Sequence, residues 1–117
     1  MPEITELYKD NWGERFDQEG ALSVTDNGEG IYDFYVNMDN KYLLSELKTK
    51  SRLEPEILKS QYKFGMVLIG LSLLNSFEKE DNRDSESFDS ETEVNRVTKA
   101  IAPMLLPMIS ALGELEN

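Results

Sequence analysis

The chain has 117 residues, 39% hydrophobic and 30% charged, a balance that suits one globular domain with its own core and fits neither a disordered chain nor a membrane-embedded one. It contains no histidine and no cysteine, which excludes disulfides, thiolate chemistry and sulfur-ligated zinc and removes the commonest general base and transition-metal ligand. The formal net charge of −11 argues against direct binding to nucleic acid or an anionic membrane, since both demand clusters of Lys and Arg.

Residues 1–20 are polar with scattered apolar anchors. Leu7, Tyr8, Trp12 and Phe16 recur at loosely helical spacing, but Gly13 and Gly20 interrupt it. The reading is a short irregular or helical N-terminal arm that docks Trp12 on the core. Residues 21–38 read as a β-hairpin. Ala21 to Thr25 and Ile31 to Met38 are rich in β-branched and aromatic types and flank Asp26-Asn27-Gly28-Glu29-Gly30, and an Asn-Gly pair accepts the positive φ of a tight turn. In the second strand Tyr32, Phe34 and Val36 share one side, which should lie on the helices.

Residues 39–77 hold a short helix and the central helix. Asp39 or Asn40 can cap the first, from about Lys41 to Lys48, and Pro55 suits the first turn of the second, where its missing N–H costs nothing. The run Phe64 to Leu74, FGMVLIGLSLL, calls for a helix buried around most of its circumference, yet falls short of the ~20 apolar residues that span a bilayer. Gly65 and Gly70 within it mark close approach of another element. No charged-then-apolar leader opens the sequence, so a cytoplasmic location is the default expectation.

Residues 78–90 read as an acidic mobile loop; from Glu78 to Glu93 eight carboxylates face only Lys79 and Arg83. Ser90 and Glu93 form an S-x-x-E capping box for a C-terminal helix over residues 91–115, with Val94, Val97, Ile101, Met104, Leu105 and Met108 at helical spacing. Pro103 and Pro107 should bend or break it near Ala102 to Leu106, and Gly113 should stop it. The fold class is therefore α+β: a β-hairpin packed on a small bundle of one short and two long helices.

Two stretches resemble a known superfamily. Val24 to Ile31, VTDNGEGI, is similar to the Asp-x-Gly-x-Gly box of the gyrase, MutL and histidine-kinase (GHKL-type) ATPases. There the Asp contacts the adenine amino group and the glycines let the backbone approach the nucleotide. That resemblance would assign Asp26, Gly28 and Gly30 to a nucleotide, whereas turn chemistry assigns the same residues to a hairpin. Glu6 and Asn11 lie too close to the box to supply the upstream Mg²⁺ and water ligands of that family, and no glycine-rich lid follows. More broadly, Gly30 to about Leu112, including Y-V-N-M-D-N-K-Y-L from Tyr35 to Leu43, resembles a segment found C-terminal to the ATPase core in some members. The resemblance implies an accessory or dimerisation element without catalytic residues.

No catalytic residue, cofactor or metal ligand is assigned. The acidic segment has no glycine for a calcium loop, and no pair of carboxylates is singled out for acid–base work. The functional expectation is a non-enzymatic interaction or dimerisation domain acting through apolar helix faces. Its partner would be a protein, most simply a second copy, met through Tyr42, Leu43, Met104, Leu105 and Met108. The alternative is an acidic inhibitor or nucleic-acid mimic that binds the basic groove of a DNA-binding protein. A third reading is a nucleotide-binding fragment built on the DNGEG turn.

Overall fold

A computed structural model describes residues 3–28, 30–49, 53–79 and 89–115. Three strands, β1 (Glu3–Leu7), β2 (Leu22–Asp26) and β3 (Tyr32–Asn37), form one sheet in the order β1-β3-β2, and three helices, α1 (Lys41–Lys48), α2 (Pro55–Lys79) and α3 (Ser90–Leu115), complete an α+β fold. β2 and β3 are the hairpin foreseen from the sequence, with Val24 opposite Phe34 and Leu22 opposite Val36. The connection spans residues 27–31 and differs from a two-residue Asn-Gly turn: Asn27 does not take a positive φ, Gly28 and Gly30 do, at 91° and 75°, and Asp26 accepts from the Gly28 N–H at 2.9 Å.

The N-terminal stretch departs from expectation. Glu3–Leu7 is neither irregular nor helical; it pairs in parallel with β3, placing Ile4 opposite Phe34 and Leu7 opposite Asn37. Five residues with Glu3, Thr5 and Glu6 exposed carry little apolar alternation, and charges along a sheet edge discourage pairing with another chain. From β1 the chain makes a single 3₁₀ turn at Lys9–Asn11 and crosses to β2 over the sheet face opposite the helices. Arg15 crosses with it, its guanidinium 3.9 Å from the centre of the Tyr35 ring and hydrogen-bonded to the Ser23 and Thr25 hydroxyls at 3.0 and 2.9 Å.

Two buried asparagines fasten this crossing. Asn37 ends β3, and its side-chain Oδ1 accepts from Trp12 Nε1 at 2.7 Å and the Asp39 N–H at 2.9 Å. Its Nδ2 donates to the carbonyls of Asp17 and Gly20. Asn40 is the N-cap of α1: Oδ1 accepts from the N–H groups of Tyr42 and Leu43, and Nδ2 donates to the carbonyls of Glu19 and Gly20. Both residues are 0% exposed, and each side chain uses its full capacity of two donors and two acceptors. Tyr62 on α2 donates its hydroxyl to the Asn37 carbonyl at 2.7 Å, and burial pushes its phenol far above the usual range, so it stays protonated for that role.

The core lies between the sheet and the helices. Leu22, Val24, Phe34 and Val36 face Leu58, Tyr62, Met66 and Leu74 of α2 and Val94, Ala102, Leu106 and Ile109 of α3. α3 runs unbroken through Pro103 and Pro107, against the expected break. Each proline forfeits one backbone bond, but Val94, Thr98, Ala102, Leu106, Ile109 and Gly113 are buried along one face on both sides of the prolines, and that packing keeps the helix continuous. Gly113 does not stop the helix: a Cβ there would fall 2.5 Å from Leu53 Cγ, so the glycine admits Leu53 against α3. The cap of α3 also sits one residue earlier than Ser90. Asp89 accepts from the Glu91 N–H and the Thr92 hydroxyl, while Glu93 pairs with Arg96 instead of closing a capping box. Most of the acidic segment expected to be a mobile loop, residues 80–88, lies outside the described residues.

The two glycines of α2 differ. A Cβ on Gly70 would lie 2.5 Å from Leu22 Cδ2 and 3.3 Å from the Phe34 ring, in the tightest part of the core, whereas on Gly65 it would make an ordinary 3.7 Å contact with Leu105. Gly70→Ala should therefore cost about 1–3 kcal/mol through overpacking. Gly65→Ala should be neutral or stabilise by up to about 1 kcal/mol through helix propensity. Urea unfolding of the two variants checks both signs.

Candidate functional site

The residues singled out from the sequence do not form one patch. Leu43 is fully buried in the core, where the Asn40 cap places it, so it has no free surface to offer a partner. Tyr42 is half-buried, with its hydroxyl 3.3 Å from a Glu19 carboxylate oxygen. Leu105 is half-buried on the side of α3 that meets Gly65. Met104 and Met108 do stand at the surface, 75% and 52% exposed.

What the sequence reading missed is the outer side of α2. The core helix FGMVLIGLSLL is not buried all round: Leu58, Tyr62, Met66, Gly70 and Leu74 face inward, and Ile57, Phe64, Leu68 and Leu71 are exposed. From residue 57 to residue 76 every exposed position of α2 is uncharged. The exposed set 57, 61, 64, 68, 71 and 75 alternates steps of four and three, the spacing of a coiled-coil seam, with Ile57, Phe64, Leu68 and Leu71 as the apolar members and Gln61 and Asn75 as the polar ones. α3 repeats the property, since from residue 100 to residue 112 its exposed positions are Ala100, Met104, Pro107, Met108, Ala111 and Leu112. In a chain with 30% charged residues, two long helix faces without a charge are a specific feature. The signal was legible as apolar surplus on these helices, but the side left uncovered depends on where the sheet lies.

The lysines beside this face are neutralised locally. Lys63 meets Glu6 of β1 at 2.9 Å and Lys59 meets Glu56 at 3.5 Å. The Lys63 ammonium, with help from the Tyr8 hydroxyl, holds the Glu6 carboxyl below its ordinary value against a smaller opposing effect of burial. An open groove of about 400 Å³ between Leu71 and Asn75 on α2 and Ile31 and Tyr32 at the start of β3 continues the apolar surface toward the hairpin tip.

The turn that resembles a nucleotide box uses its Asp26 carboxylate on its own Gly28 N–H. Among the described residues no group of three acidic or other ligating side chains is placed to hold a metal ion. α2 is, among the described residues, the one helix long and apolar enough by length and composition to cross a membrane, and its inner side is the core of this fold. No protein-family model, curated protein or solved structure matches the chain.

The Glu6–Lys63 pair gives a pH test. A carboxyl held below its ordinary value contributes stability above that value and loses it as pH falls through the lowered one. With Glu6 partly exposed the contribution is at most about 1 kcal/mol. Lys63→Met should lower stability by about that amount near pH 6, and the gap between wild type and variant should narrow as pH falls below the ordinary carboxylate range, as read from urea midpoints.

Proposed function

We propose that the chain is a non-enzymatic interaction domain whose partner is a second copy of itself, joined along the outer side of α2, with the adjoining face of α3 enlarging the contact. The observation that carries this reading is the uncharged seam from Ile57 to Asn75, exposed on a helix whose opposite side is already committed to the core. Burying exposed leucine and phenylalanine side chains is worth roughly 1.5–3 kcal/mol each when complete. Gln61 and Asn75 at seam positions would set the register of two such helices, as polar residues do in coiled coils. A protein carrying −11 repels its own kind at long range, and an uncharged face is where two copies can meet at least cost. The accessory role implied by the resemblance of residues 30–112 to a segment of GHKL-type ATPases agrees with this reading.

Light scattering across a concentration series at low and high salt tests it. The expected result is twice the 13.4 kDa chain mass, persisting in high salt because the contact is apolar. Leu68→Lys puts a charge in mid-seam at a side chain 64% exposed in the protomer, so the fold should survive while dimer affinity falls at least about tenfold. A wild-type monomer at the highest soluble concentration overturns the proposal.

A further inference from the structure

A second feature, on different residues, is a cleft of about 510 Å³ between the β1–β2 crossing and α1. That volume falls in the range of small-molecule sites. Its apolar walls are Trp12 and Leu44, and its cations are Lys9, Lys41 and Lys48, with Asp39 as the carboxylate among its lining residues. The Asp39 carboxylate accepts from the Lys9 backbone N–H at 2.7 Å and offsets one of the three positive charges. Four cations elsewhere in this acidic protein, Lys59, Lys63, Arg96 and Lys99, each pair with a carboxylate, while Arg15 is held by two hydroxyls and the Tyr35 ring. Among the described residues Lys9, Lys41 and Lys48 pair with none, and the contact of Lys41 is with the Tyr42 ring, 5.6 Å to its centre.

Three lysines line one cleft that has a single carboxylate among its lining residues, a local excess of positive charge on an otherwise negative molecule. The cleft is also built to hold shape. Asn37 accepts from the Trp12 indole N–H and fixes the ring, while Asn40 caps the helix that carries Lys41, Leu44 and Lys48 and so fixes the opposite wall. An indole held by its N–H offers a rigid apolar surface at low entropic cost, and lysine stems extend that surface while their heads stay in water.

We propose that this cleft binds a small organic dianion, a carboxylate- or phosphate-bearing molecule with an apolar or ring body. The body lies against Trp12 and Leu44, and the anionic groups meet the ammoniums of Lys9, Lys41 and Lys48. Lysine acts as a point charge and serves carboxylate and phosphate alike, so the two chemistries are separated by experiment.

Trp12 is the protein's one tryptophan and reports directly on the cleft. The test is a titration of its fluorescence in the full chain with benzene-1,3-dicarboxylate and, separately, phenyl phosphate, with benzamide as the uncharged control. The expected result is a saturable change with at least one dianion, weakened by salt. The dianion that binds more tightly identifies the preferred anionic group. Lys41→Ala/Lys48→Ala should weaken binding by about tenfold or more, and Lys79→Ala, at the far end of α2, should leave it unchanged. Strictly linear quenching by both dianions, equal saturation with benzamide, or unchanged affinity in the double variant would each overturn the proposal.

Discussion

Two side-chain amides hold this structure in register. Asn37 and Asn40 sit at the end of β3 and the start of α1, fully buried, and between them satisfy three backbone carbonyls, three backbone N–H groups and the Trp12 indole. A buried amide missing a partner costs about as much as several ordinary hydrogen bonds contribute net, so the arrangement is close to all-or-none. Residues 17–20 can follow one path across the sheet because their carbonyls must meet these two amides. The Tyr62 hydroxyl on the Asn37 carbonyl extends the same network to α2.

The placement of the functional surfaces follows from that fastening. With the crossing laid on one sheet face and the helices on the other, α2 and α3 have one side each in the core, and the remaining side faces out. Selection for a folded monomer alone would let charged residues accumulate there, as they do over the rest of the chain. No fully exposed position of residues 57–76 or 100–112 is charged, and the half-buried Lys59 and Lys63 are held by Glu56 and Glu6. The cleft beside α1 depends on the same amides more directly, because Asn37 sets one wall through Trp12 and Asn40 sets the other through the helix it caps. One surface is uncharged and apolar; the other is a cationic pocket on an anionic protein. They are chemically distinct and spring from one scaffold.

Much of this was legible in the sequence, and the failures have physical causes. The hairpin, the Asn40 cap and the span of α2 follow from local chemistry: positive-φ glycines, a short polar side chain before a helix, a proline in a first turn. β1 was hidden because a parallel edge strand is defined by its distant partner β3, and its own Glu-Ile-Thr-Glu-Leu carries little pattern. The prolines of α3 misled because local propensity opposes a continuous helix while the buried face running from Val94 through Ile109 outweighs it. Gly70 was read correctly as a close approach and Gly113 as a stop, yet both are packing glycines, one under Leu22 and one under Leu53. Leu43 appeared as a surface candidate because Tyr42, Leu43, Leu44 and Leu47 spread around a short helix whose sequence does not reveal which of them faces inward. The cleft could not be seen at all, since Lys9, Trp12, Asp39 and Lys48 come together through the crossing and not through spacing in the chain.

The most direct test of the account is hydrogen exchange of the asparagine side-chain amides in ¹⁵N-labelled protein. If Asn37 and Asn40 hold the crossing, their NH₂ protons exchange with the slow core amides, while those of the exposed Asn11 exchange at the rate of a free side chain. Asn37 and Asn40 protons exchanging as fast as those of Asn11 would contradict it.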